Sequence, residues 1–210
     1  MNLKTFAGDL RFLRYTLTHP FDGFYELRFR RSRNWILIAL IYALCGITKL
    51  FKTYYSGFLL NGGLVYGVNN WYVIAAALFP YFLFALANWS VTTLFDGSGS
   101  LSDVLEVLAY AQVPKLFFDI AYIIASNFIT GEELILLNAL YAAGILLFAF
   151  LVFAGLCVVH EYGAAKNIIT IIATAAAAVT IVFIGMLYLE IMGKIISFAA
   201  AIIAELTKRR

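Results

Sequence analysis

Apolar residues in this chain run in long blocks, without the strict alternation of a half-buried strand or the three-and-four spacing of a soluble helix. A helix crosses a bilayer with about 20 mainly apolar residues, because each rises about 1.5 Å through about 30 Å of hydrocarbon. Five blocks meet that length: Trp35–Leu50, with Tyr54–Leu60 as an apolar extension, then Trp71–Leu94, Val104–Ile129, Leu134–Val159 and Ile168–Leu189. Trp71 and Trp89 sit near the ends of the second, at the depth indole rings favour. The third is the least hydrophobic. The turns between blocks, Asp96-Gly97-Ser98-Gly99-Ser100, Thr130-Gly131-Glu132-Glu133 and His160-Glu161-Tyr162-Gly163, hold residues that stop one helix and cap the next. Such short turns predict sequential helices packed as antiparallel neighbours. The expected fold is all-α: a polytopic membrane bundle of five transmembrane helices (35–191), flanked by an amphipathic amino-terminal segment (1–34) and a tail helix (192–210).

The flanks show the amphipathic spacing that the blocks lack. Leu3, Phe6, Leu10, Leu13 and Leu17 line one face of a first helix, with Lys4, Arg11 and Arg14 among the polar positions. In the tail, Glu190, Lys194, Ser197, Ala201, Glu205 and Lys208 form a narrow polar stripe. That stripe predicts a helix embedded in the interface, or one turning its polar edge to a partner or to water. Seven basic residues, Lys4, Arg11, Arg14, Arg28, Arg30, Arg31 and Arg33, precede the first block and predict a cytoplasmic amino-terminus in the cell membrane. Five crossings leave eight basic residues inside and six outside. A sixth crossing over Met192–Leu206 would make that eleven and three, but fifteen residues rise only about 22 Å.

Composition narrows the function classes. The chain has 210 residues, 63% hydrophobic and 13% charged, against about 25% charged in a soluble domain. A net charge of +3 with scattered carriers gives no nucleic-acid surface. Met1–Pro20 lacks the apolar core and cleavage site of a signal peptide, so the first span is expected to direct insertion. Cys45 and Cys157 lie within apolar blocks and are expected to pack as small hydrophobes.

Ionisable groups inside a membrane are costly, so each is a functional candidate. Lys115 and Asp119 stand four residues apart on one face of the third block, as half of an ion pathway or as a self-neutralising pair. Glu106, near that block's end, is expected to reach water. Pro114 removes a backbone donor, predicting a kink and freeing the carbonyl of Tyr110. His160-Glu161 cannot share one metal, since neighbours on a helix point about 100° apart. The two histidines and two cysteines have no zinc spacing, and neither a Gly-x-Ser-x-Gly turn nor a phosphate loop is present. No enzyme and no cofactor are expected. Ala142-Ala143-Gly144, Ala173–Ala178 and Ala199–Ala201 permit close helix approach, within the chain or toward another membrane protein.

Several motifs together resemble a known family. His19-Pro20-Phe21-Asp22-Gly23-Phe24-Tyr25-Glu26-Leu27 ahead of a basic run is similar to the start of bacterial members of the Yip1 family. Asn88-Trp89, the turn holding Asp96, Gly97 and Gly99, and Ala109-Tyr110 leading to Pro114 resemble that family's second-to-third-span region. The ending Ala204-Glu205-Leu206 with basic residues is similar too. The resemblance implies five spans, a cytoplasmic amino-terminus and a non-enzymatic role, with His19, Pro20, Phe21, Asp96, Gly97 and Gly99 as a cytoplasmic motif. Eukaryotic relatives bind small GTPases through a long amino-terminal region, whereas only about thirty residues precede the first span here, so that role does not carry over. The expected partners are the lipid bilayer and another integral membrane protein, such as a solute-transport complex of the ABC permease kind, with a homo-oligomer possible. A small transporter or channel around the third span is the alternative.

Overall fold

The computed structural model describes residues 3–61 and 67–208, apart from the side chains of residues 3–7, 9, 10, 58, 61 and 206. Arg209, Arg210 and the apolar positions Leu3, Phe6 and Leu10 of the first amphipathic face therefore lie outside what is described of the side chains. Among the described residues every regular element is a helix: α1 Leu3–Thr18, α2 Pro20–Phe29, α3 Trp35–Tyr55, α4 Phe58–Asn61, α5 Asn70–Leu94, α6 Leu101–Ala125, α7 Leu134–Val159 and α8 Ala164–Lys208. A single 3₁₀ turn, Gly131–Glu133, leads into α7. The helices α3, α5, α6, α7 and α8 are long and apolar enough to cross a membrane, and α6 is the least apolar of them.

Local chemistry sets the boundaries. Asn34 and Asn69 accept bonds from the first free N–H groups of α3 and α5. Ser100 and Asp103 form a reciprocal capping box that starts α6 three residues before the expected Val104. α5 and α7 end alike. The N–H of Gly97 bonds the Thr92 carbonyl at 2.8 Å and that of Tyr162 bonds the Cys157 carbonyl at 2.9 Å, each closing over a residue with positive φ, Asp96 and Glu161. α6 remains helical through Pro114, and α5 does the same through a second interior proline, Pro80.

α6 is the centre of the bundle, packed against α3, α5 and α7. Its closest partner is α7, where Gly144 faces the Cβ of Phe118 and Gly155 faces Val107 so closely that a methyl on either would clash. Sequential packing fails at the last turn: α8 turns away from α7 and lies mainly along α5. α8 also runs unbroken through the join expected near residue 190, so the tail is a continuation of the fifth span. At the other end of the chain, α1 and α2 form a hairpin that lies on α6 and α7. Gly23 lets α2 approach Thr16, Arg31 lies 4.1 Å from the Phe12 ring, and the buried Phe24 reaches the Gly155 region of α7.

Candidate functional site

Two polar clusters interrupt this apolar bundle, one at each end. The first lies under the amino-terminal hairpin. Asp103, fixed by the Ser100 capping box, receives guanidinium bonds from both Arg28 and Arg33. Arg33 Nε also donates to Glu106 Oε2 at 3.0 Å, and Arg28 Nη2 donates to the Ser98 carbonyl at 2.6 Å. Glu106 is 4% exposed. The expectation that it reaches water is therefore corrected: α2 and the residues after it close over the start of α6 and replace water with Arg33.

Beside it, the turn at Asp96–Ser100 is locked to the end of α7. Gly99 N–H donates to His160 Nδ1 at 3.3 Å, which leaves the ring proton on Nε2, facing Asn88 Oδ1 at 3.0 Å. Asn88 Nδ2 in turn donates to Thr174 Oγ1 of α8 at 3.0 Å. Tyr162 Oη donates to the Phe95 carbonyl at 2.8 Å, and Ser98 Oγ to Glu161 Oε1 at 3.0 Å. A Cβ on Gly97 would lie 2.7 Å from Tyr162 Oη, and one on Gly99 would lie 2.4 Å from Val159. These glycines are needed for close approach, which accounts for them structurally. Burial, and then the nearby Arg28 charge, push the His160 pKa down to about 4, so the imidazole is neutral. Asp96, Ser98 and Glu161 keep its rim exposed while Gly99, His160 and Tyr162 are buried, the geometry of a clamp.

His19, Pro20 and Phe21 do not join it. They form the exposed corner between α1 and α2, where His19 stacks on Tyr15, while the buried members of that motif are Gly23, Phe24 and Leu27.

The second cluster is a cavity of about 210 Å³ between α3, α5, α6 and α7. It brings Lys115 and Asp119 together as their spacing predicts, Nζ to Oδ2 at 2.5 Å. Lys52 of α3 joins them, 3.9 Å from Asp119 Oδ1, its ammonium 3.6 Å from the Tyr141 ring centre and 4.1 Å from that of Tyr122. Gln112, Cys45, Tyr81 and Lys49 complete much of the lining. Pro114 and Tyr110 lie on the same helix but do not line it. Toward the hairpin the cavity is closed, since Val107 through Ala111 of α6 are all buried at 3% exposure or less. Lys52 and Gln112 escaped the sequence analysis. Lys52 sits at a span end, where a lysine normally reaches water, and the only sequence signal for Gln112 was an amide inside an apolar run.

Comparison with curated proteins and with solved structures gave no match. A family model, that of the Yip1 domain, matches residues 14–187, a stretch that reaches every membrane span and contains both polar clusters. On that match the chain is a multi-pass integral membrane protein that belongs to the Yip1 family.

Proposed function

We propose that this protein is a non-enzymatic accessory subunit of the cell membrane that docks through α8 onto another integral membrane protein, with a solute-transport complex as the proposed partner class. The family is generally non-enzymatic. The observation that carries the reading is a mismatch of length. α8 has 45 residues and so extends about 68 Å, more than twice the hydrocarbon thickness of about 30 Å. Beyond Leu189 it still exposes Ile191, Ile195, Ile196, Phe198, Ile202 and Ile203. Its polar stripe there is narrow, with Lys194 Nζ paired to Glu190 Oε1 at 2.8 Å. An apolar face of that length outside the hydrocarbon calls for cover, and the alanines at 199–201 allow a second helix backbone to approach.

The test is affinity purification from native membranes in gentle detergent, comparing the full chain with one ending at Leu189. The expected result is a near-stoichiometric membrane protein that co-elutes with the full chain only and is cross-linked by a photoreactive residue at Phe198. Recovery of the full chain alone, with Phe198 cross-linking only lipid, refutes the reading. The cavity beside Lys115 and Asp119 favours the alternative, a small transporter or channel. Its closed floor at Val107–Ala111 weighs against an open pore.

A further inference from the structure

The cavity between α3, α5, α6 and α7 holds more positive charge than its own carboxylate balances. Lys49, Lys52 and Lys115 face it with a single acid, Asp119. Asp119 is engaged by Lys115 at 2.5 Å, and Lys52 stands off at 3.9 Å. The Tyr122 and Tyr141 rings offset part of the Lys52 charge, but ring faces accept no strong hydrogen bond. An ammonium group inside a bilayer without a full counter-charge is costly.

The Lys52 ammonium fronts open space, and its carboxylate neighbour, Asp119 Oδ1, stands beyond hydrogen-bond reach. The volume of about 210 Å³ is far above the roughly 10–15 Å³ that one water needs.

We infer that the cavity is a binding site for a phosphate-class oxyanion, with Lys52 and Lys115 as its donors and Lys49 at its edge. Asp119 holds Lys115 in position rather than opposing the ligand, because that pair is already neutral. The mouth lies where Lys49 and Ala76 are exposed. From Ala76 an apolar groove continues along Tyr72, Ala75, Leu78, Phe79 and Phe82 of α5. A polar hole leading into an apolar groove suits a lipid phosphate and its acyl chain, while free phosphate would use the same donors without the groove. The inference is independent of docking through α8.

The experiment uses the full chain in nanodiscs. In one arm the discs are phosphatidylcholine and labelled inorganic phosphate is titrated by equilibrium dialysis. In the other the discs contain about a fifth phosphatidylglycerol, and lipids retained after release are counted by native mass spectrometry. One saturable phosphate group per chain is expected in at least one arm, and the arm that shows it identifies the source as soluble or lipid. Lys52→Gln is expected to weaken it about tenfold or more, the loss of one charge-assisted bond. Lys49→Gln, at the exposed mouth, is expected to weaken binding several-fold, so it decides the matter should Lys52→Gln fail to fold. Lys194→Gln, on the exposed tail, should bind as the unaltered chain does. Absence of saturable binding in both arms, or unchanged binding in well-folded Lys52→Gln and Lys49→Gln, overturns the inference.

Discussion

His160 shows how one buried side chain ties distant segments of a membrane bundle. Its two ring nitrogens are spoken for by Gly99 of one turn and Asn88 of α5, and Asn88 passes the connection to Thr174 of α8. Only the neutral ring fits, because protonated Nδ1 would face the Gly99 N–H donor. In the unfolded chain an imidazole takes its proton near pH 6.5, whereas burial and Arg28 lower the folded value to about 4. Between those values the unfolded state binds more protons, so stability falls as pH drops through this window. Lowering pH from 7.5 to 5 should remove about 2 kcal/mol, seen as a lower thermal unfolding midpoint in detergent. His160→Gln should flatten the dependence; an equal slope in that variant would refute the assignment. The sequence exposed this chemistry unevenly. Lys115 and Asp119 were readable because four residues is one helical turn, a local relation. The partners of His160 and the approach of Lys52 depend on which helices adjoin, and no local spacing encodes that.

At the scale of elements, the amino-terminal hairpin is held by charge as well as by the buried Phe12, Leu13, Phe24 and Leu27. Arg33 serves Asp103 and Glu106 together, and both carboxylates are nearly buried. Removing one partner of a buried pair strands the other charge, at about 3–5 kcal/mol. Arg33→Met should therefore lower the unfolding midpoint strongly. Adding Glu106→Gln should restore part of the loss, since Arg28 still answers Asp103. Arg30→Met, at an exposed position, should change stability by less than about 0.5 kcal/mol. Thermal unfolding of the four proteins checks this, and equal stability of Arg33→Met and Arg30→Met would remove the hairpin's ionic anchor. Helix existence was legible from apolar block length, to within a few residues except at the end of the fifth block, which α8 overruns to Lys208. The lateral order was not. A short turn brings two helix ends together without fixing the angle between them, and the Asn88–Thr174 bond joins α8 to α5 beyond that turn.

For the molecule as a whole, the number of crossings decides where the end of α8 emerges. Basic-residue counts alone left a sixth crossing attractive, because eleven against three is a steeper bias than eight against six. A sixth crossing needs the chain to reverse near residue 190, yet α8 passes Gly185 and Gly193 as unbroken helix, with open space beside both. The external count also overstates its charge, since Lys194 is paired with Glu190. Five crossings place the hairpin and the turns at 95–100 and 160–163 on one face, and the turn at 126–133 and the end of α8 on the other. Single cysteines at Asp22, Lys166, Glu132 and Thr207, in a chain with Cys45→Ala and Cys157→Ala, test this with a membrane-impermeant maleimide. In intact cells Glu132→Cys and Thr207→Cys should label, and Asp22→Cys and Lys166→Cys should label only after lysis. The inverse pattern would keep five crossings and reverse the orientation. Thr207→Cys labelling together with Asp22→Cys would instead require α8 to fold back, and with it the projecting helix on which docking depends would be gone.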